Sequence, residues 1–307
     1  MDTLNLVAVE DGKVLYSVKN GTATYSKVLH EDGTFRRKGG IYHLNEVDGI
    51  ITKIEGGVVS TAVKTVNPFR PIQSEFPINQ RFDFLRKFTD MVLDGILPSA
   101  IVTGEGGLGK SHTIMEALAA RNLREERDYV VIKGFATPKA LYATLYDHNG
   151  KIIVFDDCDS VLKDPTSINL LKGALDSYAV RTISWLSKGF IDDEYPSSFE
   201  FTGQVIFISN INSSNMDGAI KSRSITVDLS MTMQDKIERM QHILPTILPE
   251  FEMDIKEAAL EFMAQHSDEA REFNLRTLQK SIKVIAAYGL DNDEEWHSAV
   301  KYLLVSI

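Results

Sequence analysis

Eight consecutive residues, Gly104-Glu105-Gly106-Gly107-Leu108-Gly109-Lys110-Ser111, fit the pattern G-x-x-x-x-G-K-[ST]. Each residue type in it has a chemical use. Glycines let the backbone curl so that successive N–H groups converge on phosphate oxygens. Lys110 can reach terminal phosphates, and the Ser111 hydroxyl can ligate Mg²⁺. The stretch Ser99–Thr103 before it predicts a short buried strand, and Thr113–Ala120 after it predicts a helix. That helix would turn its N-terminus, with its partial positive charge, toward the same anion. The expected contacts to a nucleotide are therefore residues 104 to 111 and the adjoining His112. ATP with Mg²⁺ is the expected ligand, against a plain glycine-rich turn.

A second group lies about 40 residues on. Ile152-Ile153-Val154-Phe155-Asp156-Asp157 is an apolar run closed by two acids. A carboxylate at the end of a strand beside the loop can hold Mg²⁺ or its waters, and Asp156 takes that part with Ser111. Asp157, one residue further, points elsewhere and could polarise an attacking water. Alone, such a run is an ordinary strand end; beside the loop it becomes informative. Cys158 and Asp159 read as structural.

These groups need a scaffold, and the chain divides into zones. Residues 1–66 read as a small all-β module, with strands at Leu4–Val9, Lys13–Val18, Thr22–Val28 and Val58–Val63 separated by turn signals such as Asn20-Gly21 and Gly39-Gly40. A connector is expected over 67–80, where Asn67-Pro68-Phe69-Arg70-Pro71 breaks structure. Residues 81–229 alternate strands and helices. Tyr129–Ile132, Ile152–Phe155 and Val205–Ile208 have the continuous apolar character of buried parallel strands, with helices at Pro138–Tyr146 and Ser167–Tyr178 between them. Residues 230–307 hold four amphipathic helices, Met233–Leu244, Asp254–His266, Leu275–Tyr288 and Glu294–Val305. Thr232 and Asn274 are expected N-caps and Gly289 a C-cap. The fold class is thus α/β: a parallel sheet carrying a phosphate-binding loop, a C-terminal four-helix lid, and a β-rich N-terminal module.

Composition bounds the function. With 307 residues, two or three domains are expected. A net charge of −10 argues against electrostatic wrapping of nucleic acid, though not against a local basic patch. One cysteine excludes an internal disulfide and cysteine-rich zinc sites. Met1-Asp2-Thr3-Leu4 has no basic stretch leading into an apolar one, and no run approaches the ~20 residues of a membrane span. A cytoplasmic protein with no membrane partner is the expectation.

Ile206-Phe207-Ile208-Ser209-Asn210 is a third apolar strand ending in a polar residue, and here the chain resembles the AAA+ ATPases. The resemblance covers roughly residues 75–307. It implies that Asn210 is the polar "sensor 1" on a strand between the loop and the Asp156 strand. Asp217-Gly218-Ala219-Ile220-Lys221-Ser222-Arg223-Ser224 is similar to the helix carrying the family's arginine finger, which makes Arg223 that finger, against a surface arginine at a helix end. Asn274-Leu275-Arg276-Thr277-Leu278 matches the opening of the third lid helix, so Arg276 would be "sensor 2". Catalytic roles thus fall on Asp157, Asn210, Arg223 and Arg276. Most members carry Glu where this chain has Asp157, one methylene shorter. The segments around Asp156, Asn169–Ser177 and Phe201–Phe207 resemble AAA ATPases encoded by tailed bacteriophages, which implies host cytoplasm.

The resemblance further implies a homo-oligomer, a hexameric ring, acting on nucleic acid or a protein. Phe135, in Lys133-Gly134-Phe135-Ala136, resembles a pore-loop aromatic, against a phenylalanine packed under its loop. Arg181–Trp185 and Ser198–Thr202 read as a hairpin with Lys188 near its tip, against an acidic surface loop containing Asp192-Asp193-Glu194. Arg36-Arg37-Lys38 beside Tyr25, Phe35 and Tyr42 could meet single-stranded nucleic acid, against a solvated loop. Three readings stay open: a ring motor in phage DNA replication, recombination or replisome assembly; a protein remodeller; and a nucleotide-switched assembly module with little turnover. A small-molecule kinase needs neither Arg223 nor a helical lid.

Overall fold

The computed structural model describes residues 74–186 and 195–306, apart from the Ser214 side chain, and before them the backbone of six strands. The chain divides into two compact units, Met1–Ile72 and Gln73–Ile307.

The first unit is an antiparallel sheet of β1 (Leu4–Glu10), β2 (Lys13–Val18), β3 (Thr24–Val28), β4 (Thr34–Arg37), β5 (Gly40–Asn45) and β6 (Ile50–Ile54), ordered β3-β2-β1-β6-β5-β4. Three of its strands follow the alternation in the sequence. Gly40, read as part of a turn, instead opens β5. The strand expected at 58–63 and the breaker at 67–71 lie outside the described residues.

The second unit begins with α1 (Ile78–Leu93), inside the stretch read as a connector. Five strands follow: β7 (Ser99–Thr103), β8 (Tyr129–Lys133), β9 (Ile152–Asp156), β12 (Gln204–Ile208) and β13 (Ile225–Asp228). Every pair is parallel, in the order β13-β7-β12-β9-β8. Their uninterrupted apolar character is explained by burial on both faces. Ile101, Ile153, Phe155, Val205 and Phe207 face one layer, with α3 (Pro138–Asp147) and α5 (Pro165–Ala174). Ala100, Val102, Val154, Ile206 and Ile208 face the other, with α1 and α2 (Lys110–Ala120).

One helix departs from expectation. The helix read as Ser167–Tyr178 runs from Pro165 to Ala174, after the single turn α4 (Ser160–Lys163). Asp164 starts it by accepting from the Ser167 N–H at 2.8 Å, with Pro165 in the first turn. It ends at Ala174, whose carbonyl accepts from Arg181 at 2.9 Å. The hairpin is present as β10 (Thr182–Ser184) against β11 (Ser198–Glu200). Its tip, including Lys188 and the acidic run 192–194, lies outside the described residues.

After α6 (Gly218–Arg223) and β13 come α7 (Met233–Ile243), α8 (Met253–Gln265), α9 (Leu275–Tyr288) and α10 (Asp293–Val305), within two residues of their expected limits. They share an apolar core that includes Met240, Leu260, Met263, Ile282 and Val300. Thr232 and Asp235 form a capping box, Asn274 accepts from the N–H groups of Arg276 and Thr277, and Gly289 ends α9 with φ 84°.

Candidate functional site

Parallel strands bring all their C-terminal ends to one edge, where ligands bind in α/β sheets. Here β12 lies between β7 and β9. The glycine loop follows β7, Asn210 follows β12, and Asp156 and Asp157 end β9. Neighbouring strands are about 4.8 Å apart, so the ends of β7 and β9 stand roughly 10 Å from one another with the end of β12 between them.

The loop takes a path few residue types allow. Gly104, Gly107 and Gly109 have φ of 133°, 74° and 96°. A Cβ at Gly104 would stand 2.8 Å from the Leu229 carbonyl oxygen, and one at Gly107 would meet the Asn274 side chain at 3.1 Å. The first N–H groups of α2, unpaired within a helix, open onto this loop.

Lys110 is 5% exposed and donates to three acceptors: the Gly104 carbonyl, the Glu105 carbonyl at 2.7 Å and Asn210 Oδ1 at 2.9 Å. Burial pushes its ammonium down to about pKa 8, against the opposing pull of Asp157, Asp156, Asp159 and Glu105. Ser111 donates its hydroxyl to Asp156 Oδ1 at 2.8 Å. The other oxygen of Asp156, itself buried, stands 3.4 Å from Lys133 Nζ. Asn210 donates through Nδ2 to Asp157 Oδ1 at 2.8 Å. Asp157 is exposed and sits in the left-handed region at φ 55°, its N–H bound to the Ile208 carbonyl. A non-glycine residue there costs of order 1–3 kcal/mol and is held by its surroundings. Asp157 lines the cleft beside Asn210.

The C-terminal helices close over this edge. The Leu275 N–H donates to the Gly107 carbonyl at 3.0 Å. Arg276 and Gln279 of α9 line a cleft of about 240 Å³ together with the loop, Asp157 and Asn210. From α7, Lys236 reaches Glu105 Oε2 at 2.5 Å. A second cavity of about 510 Å³ shares Gly109, His112, Leu275 and Gln279 with that cleft and extends toward Arg239 and Ile247. Arg239 is buried with its guanidinium 3.7 Å from the Phe82 ring centroid, and burial lowers its pKa to about 10. A cavity of about 590 Å³ between α3, α5 and β10 is larger, but it contains none of these charged groups.

Of the residues singled out in the sequence, the cleft gathers Gly106 to His112, Asp157, Asn210 and Arg276. Gly104, Glu105 and Asp156 adjoin it through Lys110 and Ser111. His112 points along its helix to Glu116, 3.2 Å away. Arg223 stands apart. Ser99, at the far end of β7 from the loop, donates to the Arg223 carbonyl at 3.4 Å. Five residues of strand span roughly 16 Å. The Arg223 guanidinium turns back to the Ala219 carbonyl at 3.1 Å and stands 3.9 Å from Asp176, so it does not serve the loop of its own chain.

Phe135 is 80% exposed on the loop after β8, so it is not packed beneath that loop. Cys158 is buried, and burial raises its thiol pKa. Asp159 accepts from the Ser209 hydroxyl at 2.6 Å, a structural bond. In the first unit Phe35 pairs across strands with Tyr42, and Arg36 with Ile41.

Sequence reasoning missed Lys133, Lys236 and Gln279. Lys133 carried a signal, since it ends a strand as Asp156 does. Lys236 and Gln279 are ordinary residues of amphipathic helices.

The donor set fits a phosphate chain with a divalent cation. Ser111 and Asp156 supply two hard oxygens at hydrogen-bond distance. Mg²⁺ there would be completed by phosphate oxygens and water rather than by a protein cage; among the described residues there is no cluster of three or more His, Cys, Asp or Glu that could hold a metal.

The strand order and the loop define the class: a P-loop α/β protein with a five-stranded parallel sheet and C-terminal helices. No family model matches the chain. Over 174 residues it is 28% identical to an uncharacterized 36.7 kDa protein from the nrdC–mobD intergenic region of Enterobacteria phage T4; the match covers 52% of this chain and 53% of the phage protein. The chain therefore spans about half the length of this curated relative. Similar solved structures include the FIGL-1 AAA domain in complex with ADP (TM-score 0.45, 14% identity, 73% of this chain, 81% of that one). Domain III of the Thermotoga maritima replication initiation protein DnaA gives 0.45 at 14% identity over 73% and 92%. The E. coli MS115-1 HORMA:CdnC:Trip13 complex gives 0.42 at 13% over 74% and 87%. Among the described residues no helix is long and apolar enough to cross a membrane.

Proposed function

We propose that this chain is an ATP-hydrolysing ring motor or remodeller of the AAA+ type, acting in phage DNA replication, recombination or replisome assembly. The observation that carries the reading is the convergence of Lys110, Ser111, Asp156, Asp157 and Asn210 at one sheet edge, under a loop of left-handed glycines.

In this reading the loop N–H groups and Lys110 bind the phosphates of ATP, and the nucleoside extends toward the cavity beside Arg239. Mg²⁺, held by Ser111 and Asp156, would draw charge from the β- and γ-phosphates. Asp157 is the base that orients water, and Asn210 holds its carboxylate in place. Arg276 reaches the γ-phosphate from α9, so the C-terminal helices act as a lid that registers it. Arg223, remote from its own loop, is the finger for the neighbouring subunit's site. That division requires a head-to-tail contact, and a hexamer is the ring we assign.

The relative in phage T4 supports a phage setting. A second reading, a remodeller that threads a protein, is favoured by the exposure of Phe135. ATP turnover measured with single-stranded DNA, double-stranded DNA and no polymer tests both. Strong stimulation by DNA supports the first reading and DNA-independent turnover the second. Tight ATP binding with near-zero turnover would leave a nucleotide-switched assembly module.

A further inference from the structure

Glu105 is gripped by two ammonium groups from different parts of the chain. Its main-chain carbonyl accepts from Lys110 Nζ at 2.7 Å, and its carboxylate meets Lys236 Nζ at 2.5 Å. The Lys236 side chain is 13% exposed and that of Glu105 56%, so the lysine end of the pair is shielded while the carboxylate end is open to solvent and salt. Lys236 also has little freedom to move alone. It lies in the first turn of α7, fixed by the Thr232–Asp235 capping box, and Asp235 is paired with Arg81 of α1 at 3.4 Å.

From this geometry we propose that Lys236 is a positioning residue, and that the Lys236–Glu105 pair is a latch through which the lid sets the phosphate loop. The inference rests on the reading of that loop as a nucleotide site. A shift of α7 relative to the sheet moves the Glu105 peptide. That peptide supplies one of the three acceptors that aim Lys110. The bond from the Leu275 N–H to the Gly107 carbonyl adds a second tie, from α9, so the loop is held at alternate residues by two lid helices. If the lid moves away, Glu105 is left with a free carboxylate beside the phosphate path, where it repels the ligand.

The test is a double-mutant cycle on the full chain, with fluorescently labelled ATP as the probe. Lys236→Met should weaken binding about fivefold or more, the lower end of ordinary coupling between sites. In a Glu105→Gln background the same change should have little further effect. The charge exchange Glu105→Lys with Lys236→Glu should restore affinity to within about twofold of wild type. Equal losses from Lys236→Met in both backgrounds would mean that Lys236 touches phosphate directly, and would overturn the latch. So would unchanged affinity in a folded Lys236→Met protein. If wild type and Lys110→Ala both fail to bind the probe, the nucleotide reading falls separately. The latch is then decided by amide hydrogen exchange over residues 104–109. Faster exchange in Lys236→Met that the charge exchange reverses supports it, and unchanged exchange overturns it.

Discussion

Asn210 accepts from Lys110 Nζ at 2.9 Å across a sequence separation of 100 residues. Through its amide nitrogen the same side chain holds Asp157 at 2.8 Å. One neutral amide therefore joins the cation that would bind phosphate to the acid that would activate water. It can do so because it has both a donor and an acceptor, and because its strand lies between theirs. Asn210→Ala should release Asp157 and leave Lys110 with only carbonyl acceptors. ATP binding should persist while turnover falls, which steady-state hydrolysis beside a binding isotherm will separate. Asp157→Asn should likewise keep binding and stop hydrolysis; unchanged turnover would remove Asp157 as the base.

Lys110→Ala should abolish ATP binding by calorimetry, because the phosphates lose the loop's mobile cation. The lysine also predicts a pH dependence. Its pKa in the fold is about 8, below the ordinary 10.5. Between these values the unfolded chain binds more protons than the folded one, so this group makes the fold more stable as pH rises from about 8 toward 10.5. Phosphate needs the ammonium, so affinity should move the other way and fall as pH rises past about 8. Isotherms at pH 7 and pH 9 decide the second point, and urea melts at the same pH values the first.

Arg223→Ala should leave ATP binding in each subunit nearly intact and lower hydrolysis by about three to five powers of ten, if the finger acts in trans. Mixed with Lys110→Ala protein it should regain activity at hybrid interfaces. Mixtures that exchange subunits yet stay inactive would exclude the finger.

Gly104→Ala should destabilise the fold by about 1–3 kcal/mol or more, since the residue has φ 133° and its new methyl would stand 2.8 Å from the Leu229 carbonyl. Gly218→Ala is the control, because a Cβ there meets nothing within 4 Å. Thermal melts of the two should separate clearly, with only the first lowered.

Assembly should follow nucleotide. Mass photometry should find a smaller species without ligand and a larger one with a slowly hydrolysed ATP analogue, as ligand at each interface adds cohesion. A monomer at micromolar concentration in both conditions would undercut the ring and the trans finger together.

The glycine loop, the Asp156–Asp157 pair and the strand ending at Asn210 were legible in the sequence because each depends on local rules: φ restrictions, an apolar run of strand length, a polar stop. The C-terminal helices were legible for the same reason, through their periodicity and caps. Local rules do not report long-range contacts. The resemblance implied a strand for Asn210 between the loop and the Asp156 strand, but only the tertiary structure joined its amide to both Lys110 and Asp157, and helix packing alone brought Lys236 to Glu105 and Leu275 to Gly107. The Ser167–Tyr178 helix was read too far toward its C-terminal end; it ends at Ala174, whose carbonyl accepts from Arg181, a partner beyond the helix that local rules do not report. Arg223 was singled out as a finger by the resemblance of its helix, which says nothing of where the residue lies. Its distance from its own loop was decided by where β13 docks beside β7, because parallel strands fix which end of the sheet each connection must occupy.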